Sequence, residues 1–369
     1  ISMFGWVGII YAIKFLWAPM LDNLSIPVLT KALGQRRSWI LFMQLIILMG
    51  FIWMSFVDPT KNLVLLAYLS ILIAFASASQ DVAIDAYRIE IIENKYQGAM
   101  AASYQLGYRI SALTAGAGAL YLAGFYSWQV TYQIIAGFMF VGIVTVLIIA
   151  ESPKTEPIIE NTHWFRSSVI EPFFEFFKRS GRWSIILIIY IAIYRVSDLI
   201  LGIVANPFYI DIGFNLNEIA TVTKVFGIAI TIVGAFVGGI SVARYGIPRP
   251  LIISSILLAG TNLFFLMLNK AGPDLSVLVL TISADNFALG FSGSIFIAFL
   301  SSLTNRYYTA SQYALFTSIM FLPGIIISGF SGQIIDAMGW AKFFLFAASM
   351  GIPSILFSLL IVRKGWQEQ

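Results

Sequence analysis

Eleven apolar runs, each long enough to cross a bilayer, follow one another along this chain: about 2–21, 39–57, 62–87, 98–124, 129–150, 183–206, 217–243, 250–269, 276–303, 311–335 and 341–362. A spanning helix needs about 20 mostly apolar residues, because without water every backbone N–H and C=O must be satisfied inside its own segment. The runs are far longer than the ~10 alternating residues of a barrel strand. They predict an all-α membrane protein. Only 11% of the 369 residues are charged, against about 25% in a soluble domain.

Leaving aside Glu218 and Lys342 at the very ends of two runs, eight charges nevertheless lie inside the runs: Lys14, Asp81, Asp85, Arg109, Arg195, Asp198, Lys224 and Asp285. Each costs roughly 2.5–3.5 kcal/mol at the centre of a spanning helix. A chain that needed only to span lipid would not carry them, so they point to a polar pathway. Four are acidic and four basic, so pairing can leave the membrane core nearly neutral.

Fifteen basic residues fall in one set of links between runs, among them Arg36, Arg37, Arg88, Arg244, Arg249, Arg306 and Arg363, and three in the other, Lys61, Lys270 and Lys342. The positive-inside rule places the first set, and the C-terminus, in the cytoplasm. Eleven helices then leave residue 1 on the far side. A further helix upstream is expected, making a bundle of at least twelve with eleven present. The longest polar segment divides the chain into an N-terminal helical half (1–150), a cytoplasmic linker (151–182) and a C-terminal helical half (183–369). Within the linker, 164–179 mixes aromatics with both charges and reads as a short amphipathic helix on the inner membrane surface. The halves echo one another. Gly34-Gln35-Arg36-Arg37 has a counterpart in Arg244 to Arg249, and Ser79-Gln80-Asp81 in Ser283-Ala284-Asp285-Asn286. Duplicated halves are the build of secondary transporters, whose sites lie near the midplane.

Asp81 and Asp85 are one helical turn apart and share a face. Desolvation and mutual repulsion let such a pair bind and release a proton, the requirement for proton coupling. Asp85 could instead pair with Arg88 as a clamp. Asp285 is the third coupling candidate. Arg109, deep in its run, needs a carboxylate partner or an anionic ligand, since arginine stays charged. Gln80, Gln105, Tyr108, Tyr194, Arg195, Asp198, Lys224 and Asn286 complete the candidate substrate contacts. Arg195 and Asp198 read as a pair on one helix, and Lys224 and Asp285 as a pair between helices. Lys14, Asp22, Arg36, Arg37 and Arg88 are the structural or gating set, with Lys14 read as snorkelling to the inner surface. Gly227, Gly234, Gly238 and Gly239 on one run suggest close helix approach.

The chain has no cysteine and one histidine, His163. That excludes disulfides and thiolate sites and argues against any zinc or haem centre. No cofactor is expected, no nucleotide loop or ATPase motif is present, and no nucleophile or metal arrangement suggests an enzyme. The basic residues do not cluster on a soluble domain, so nucleic acid is not a partner. The partners expected are the bilayer, a small solute and protons, with the protein as a monomer.

Lys14-Phe15-Leu16-Trp17-Ala18-Pro19, Gly34-Gln35-Arg36-Arg37-Ser38-Trp39, Ala78-Ser79-Gln80-Asp81 with Asp85-Ala86-Tyr87-Arg88, Leu106-Gly107-Tyr108-Arg109 and Ala310-Ser311-Gln312-Tyr313-Ala314-Leu315 are among the stretches that stand out in order along the chain. In them the chain resembles the AmpG muropeptide permeases of the major facilitator superfamily. Acetyl-CoA transporters of the endoplasmic reticulum are similar in the Ser79 to Arg88 segment. The resemblance implies a major facilitator bundle in the bacterial inner membrane that imports anhydro-muropeptides with protons by alternating access. It places Asp81, Asp85 and Arg109 at the family motif's polar positions.

Because the chain lacks cysteine, its orientation can be read by labelling. Lys61→Cys should react with a membrane-impermeant maleimide added outside intact cells, and Lys31→Cys only after lysis. The opposite pattern overturns the orientation.

Overall fold

The computed structural model describes residues 10–58, 60–153 and 170–363; of Asn94, Leu216, Lys224 and Val225 it describes the backbone alone. His163 and the first part of the expected amphipathic helix lie outside the described residues. Among them the regular structure is helical throughout. A 3-10 turn (Lys14–Leu16) leads into α1 (Ala18–Asn23), α2 (Leu29–Leu33), α3 (Gln35–Ser55), α4 (Leu63–Ile91), α5 (Gln97–Leu113), α6 (Ala119–Phe125), α7 (Trp128–Ile148) and the linker helix α8 (Glu171–Ser180). Then come α9 (Trp183–Tyr194), α10 (Val196–Asp211), α11 (Leu216–Ile219), α12 (Gly227–Tyr245), α13 (Pro248–Ala271), α14 (Leu275–Leu303), α15 (Thr309–Ser328), α16 (Ser331–Met350) and α17 (Ile352–Arg363). By length and composition, nine helical stretches among the described residues can cross a membrane.

The local chemistry explains where helices start and stop. Asn62 and Ser127 cap α4 and α7 by accepting from the N–H groups of Leu65 (3.1 Å) and Val130 (3.3 Å), as short polar side chains do at helix starts. Pro248 opens α13, where its missing N–H costs nothing. Gly34 takes φ +87 ahead of α3, and a Cβ there would lie 2.3 Å from the Glu151 side chain. The Glu151 carboxylate accepts from the N–H groups of Arg36 and Arg37, at 3.1 and 3.4 Å, capping α3 from the end of another helix pair. Burial raises this carboxyl above the ordinary glutamate range, although both N–H bonds act against that shift.

Several runs are not single straight helices; in the one from 217 a π-helical stretch (Ala220–Phe226) separates α11 from α12. Between 97 and 125 a π-helical stretch (Thr114–Gly118) separates α5 from α6. The run that holds Arg195 and Asp198 breaks at Arg195 (φ −103, ψ 4), so Arg195 is itself the junction and is the N-cap of the helix whose first turn carries Asp198. Inside α16 the backbone leaves helical geometry at Gly339 (φ +76), between the last two runs read from the sequence. Pro207 and Pro323 lie inside α10 and α15, and Pro19 in the first turn of α1.

By their contacts the residues form two compact units. One comprises Ile1–Glu93, Tyr108–Arg179 and Thr304–Ser318, the other Asn94–Gly107, Ser180–Leu303 and Ile319–Gln369. The first has a core of small and branched residues, with Ala18, Leu21, Ile40, Val82, Ala83, Ala86 and Ala314 all buried. The second is built on aromatics. Phe208 packs against Phe344 at 4.7 Å and Trp340 at 5.0 Å, and the Trp340 indole donates to Asp211 at 2.6 Å.

Within the second unit α12 and α14 touch along their backbones. A Cβ on Gly234 would lie 2.3 Å from the Phe287 carbonyl oxygen, on Gly238 2.5 Å from that of Phe291, and on Gly290 2.0 Å from that of Thr231. The glycine run marked in the sequence is therefore a packing face, since bilayer helices gain contact mainly by close approach. Gly290→Ala should destabilise the protein by about 1–3 kcal/mol through overpacking. Gly260→Ala, where the added methyl meets open space, should not. Thermal unfolding in detergent reads both.

Candidate functional site

The first unit holds a buried lysine inside a membrane run. Lys14 is 6% exposed, and its Nζ donates to Asp81 Oδ2 at 2.5 Å. The expected snorkelling of Lys14 is thus corrected. A carboxylate one helix away satisfies the ammonium inside the bundle, so it has no need to reach the surface. Two further bonds tie the same stretch to α4: Tyr11 donates to Ser77 at 2.5 Å and the Trp17 indole to Ser79 at 3.0 Å. Trp17 also packs on Phe75 at 5.0 Å. Tyr108 lies within electrostatic reach of Tyr11, and Asp85 within reach of both Lys14 and Asp81. Gln80 and Arg109 are half-buried, and Tyr108 is 64% exposed. The carboxylate of Asp81, with 26% of its side chain exposed, is thus a partly exposed acid with a buried lysine on it.

Asp85 accepts from Arg88 at 3.4 Å, and the guanidinium lies over the Tyr313 ring at 5.2 Å. The clamp alternative for Asp85 is therefore the geometry found.

A second network is larger. Arg36 Nε donates to both Glu90 oxygens at 3.0 and 3.1 Å, Nη2 to Glu90 at 2.6 Å and Asp22 at 2.8 Å, and Nη1 to the Leu21 carbonyl at 3.0 Å. Asp22 in turn accepts from the N–H groups of Ala310 (3.1 Å) and Ser311 (2.9 Å) and from the Ser311 hydroxyl (2.5 Å). A carboxylate at a helix start is favoured by the positive end of the helix dipole. Arg37 meets the last carbonyls of α7, those of Val146 and Leu147, each at 2.8 Å.

The linker helix joins the same corner of this unit. Gln312 donates to Glu175 at 2.6 Å and to the Pro172 carbonyl at 2.8 Å, and Asn305 donates to Glu175 at 2.9 Å. Phe176, fully buried, packs edge-on against Phe316 at 4.9 Å, while Phe174 and Phe177 stay exposed. The described part of the amphipathic helix, Glu171–Ser180, therefore docks one face on protein. Ser311, Gln312 and Tyr313 each find a partner here. In the sequence they stand only as a motif, because their partners lie more than a hundred residues away.

In the second unit Arg195 pairs with Asp198, with Nε to Oδ2 at 3.2 Å, and lies over the Phe321 ring at 5.6 Å. Asp198 is at the start of α10 and within Coulombic reach of Asp285. The Lys224 side chain is outside the described residues, so its expected pairing with Asp285 is not described. Three expected substrate contacts are engaged in packing. Tyr194 is 2% exposed, stacks on Phe296 at 3.7 Å and donates to Ser254 at 2.7 Å. Gln105 donates to Ser294 at 3.0 Å. Asn286 accepts from Thr231 at 2.9 Å and donates to the Ile282 carbonyl at 3.1 Å. The echo between halves is also inexact. Asp81 is the nineteenth residue of α4 and Asp285 the eleventh of α14. At 1.5 Å per residue their depths in two 29-residue helices differ by about 12 Å.

Nine helical stretches among the described residues, long and apolar enough to cross a membrane and several of them carrying paired charges, describe a multi-pass membrane protein. Residues 1–328 match the model of the Major Facilitator Superfamily. The chain is 34% identical over 369 residues to a Rickettsia conorii protein named as transporter AmpG 4, covering 99% of this chain and 88% of that one. It is 32% identical over 366 residues to the anhydromuropeptide permease of Escherichia coli K12, covering 99% and 72%. The fold is similar to the proton:xylose symporter XylE (TM-score 0.69, 12% identity, 98% and 86% covered) and to the E. coli fucose:proton symporter FucP (TM-score 0.70, 13% identity, 98% and 91% covered). The chain belongs to the AmpG-type permeases of the major facilitator superfamily, and it is a transporter, not an enzyme.

Removing either member of the Lys14–Asp81 pair takes from the other its ion-pair partner at 2.5 Å. Lys14→Gln or Asp81→Asn should each cost about 2–3 kcal/mol, below the ~3–5 kcal/mol of a fully buried pair. The double variant should regain most of that stability. Additive losses in thermal unfolding would show that the two do not act as a pair.

Proposed function

We propose that this protein imports anhydro-muropeptides, the disaccharide-peptide fragments of the cell wall, across the bacterial inner membrane by proton symport, with its basic links and C-terminus in the cytoplasm. The observation that carries the reading is the Lys14–Asp81 pair within a chain alike along nearly its whole length to a protein named an anhydromuropeptide permease. Asp81 carries the proton. When its carboxyl takes a proton the ammonium of Lys14 loses its partner, and an anionic ligand group can replace it. Proton binding and substrate binding are thereby linked through one lysine. A muropeptide suits such a site, because its peptide carboxylates match Lys14 and Arg109. Its sugar rings match the faces of Tyr11, Trp17 and Tyr108, and its hydroxyls match Gln80. Asp285, within Coulombic reach of Asp198 in the second unit, is the second candidate acid.

In the same reading access alternates. The Asp22–Arg36–Glu90 network and the Asp22 cap on α15 hold the cytoplasmic end shut in one state and part in the other. Tyr194, Gln105 and Asn286 hold helices together and do not touch substrate.

Proteoliposomes test this. The wild-type protein should accumulate labelled anhydro-muropeptide when the lumen is alkaline relative to the outside, and should not accumulate acetyl-CoA. Asp81→Asn should lose accumulation at least about a hundredfold, as expected if only an ionisable group can carry the proton, yet still exchange internal for external substrate. Equal uptake with the gradient collapsed rejects the coupling, and uptake of acetyl-CoA alone rejects the substrate.

A further inference from the structure

The exposed face of α12 is apolar along a helical stripe, Val233, Phe236, Val237 and Ile240, with the i, i+3, i+4, i+7 spacing of one surface. In a membrane that face meets acyl chains. Beside it, α5 and α12 come together backbone to backbone: a Cβ on Gly239 would lie 2.7 Å from the Gly98 carbonyl oxygen. Next to this contact the side chains are small, and a groove of about 360 Å³ opens, lined by Ala99, Ala102, Ser103, Gly239, Ile240 and Arg244 among others. Water does not fill an apolar recess facing hydrocarbon, so an acyl chain does. The groove ends at a charge. Arg244 is in the last turn of α12, exposed, with its guanidinium 5.5 Å from the centre of the Tyr245 ring. Tyr245 and Tyr96 are both about half exposed, as tyrosines are at headgroup level. The turn that carries Lys95 and Tyr96 packs against α12 and leads into α5. An apolar recess that ends in a guanidinium at the headgroup level has the two chemistries of one ligand.

We propose that this groove is a binding site for an anionic phospholipid, one acyl chain lying against Ala99, Ala102 and Gly239 and the phosphate held by Arg244. The inference rests on the chain's place in the membrane and not on what it transports. A second copy of the protein fits less well. A two-fold contact through this face would bring two Arg244 side chains together, and like charges repel. A zwitterionic lipid would fill the groove but would place its own cationic group near Arg244.

The test uses the whole protein in phosphatidylcholine nanodiscs with and without phosphatidylglycerol, read by thermal unfolding and by native mass spectrometry of retained lipid. Phosphatidylglycerol should raise the midpoint saturably and stay bound to the wild type. Arg244→Gln should weaken retention about fivefold, the effect of one basic residue at an anionic lipid surface. Ala99→Phe, which fills the groove from an exposed position, should abolish retention. Arg249→Gln, outside the groove, should leave it unchanged. Equal stabilisation by phosphatidylcholine, unchanged retention in Ala99→Phe, or a dimer that dissociates on Ala99→Phe in place of lipid loss would each overturn the proposal.

Discussion

A guanidinium shut away from water must have its donors met by protein, and around Arg36 that demand ties remote parts of the chain together. Its partners are Leu21 and Asp22 before it in the chain and Glu90 after it. Asp22 passes the connection to the first turn of α15. One side chain thereby sets the register of four segments that are remote in sequence. Burying such a network need not add net stability, because desolvation offsets much of the attraction. Its consequence is specificity: a carboxylate or guanidinium at this depth tolerates few other arrangements, since an unpaired one costs several kcal/mol. The same rule, applied to a single pair, puts Lys14 on Asp81.

The two networks differ in a way that bears on function. The Arg36 network is closed, with its partners inside the protein and only 2–7% of its ion-pairing side chains exposed. The Asp81 side chain is 26% exposed. A fully enclosed pair can only hold or break. In the Lys14–Asp81 pair the lysine is enclosed while its carboxylate partner is only partly so.

Much of the bundle was legible in the sequence because its cause is local. A run of about 20 apolar residues becomes a spanning helix wherever it sits in the chain, and glycines at helical spacing mark a close contact whatever the partner. Breaks were harder. Arg195 interrupts its helix, although nothing in Tyr194-Arg195-Val196 is a helix breaker, and the two glycines of the 114–118 stretch do not by themselves announce a π-helix. The site was half legible. Asp81 and Asp85 stand out as charges in apolar surroundings, but Tyr11, Trp17, Ser77 and Ser79 do not, because aromatics and serines are ordinary in such helices. Tyr194, Gln105 and Asn286 bond to Ser254, Ser294 and Thr231, and polarity in a run shows that a partner exists, not whether that partner is a ligand or a hydroxyl on another helix.

By itself the sequence determined that this chain lives in a membrane, that its helices carry charges which must be answered, and that it belongs with the AmpG-type permeases. All three rest on length, composition and short motifs, which are properties of contiguous residues. Only the tertiary structure decided which charge answers which between segments: Lys14 with Asp81, and Arg36 with Asp22 and Glu90. Ion pairing in low dielectric is strong but falls off over a few ångströms, so it depends on which helix faces lie together, and that is a property of the packed bundle alone.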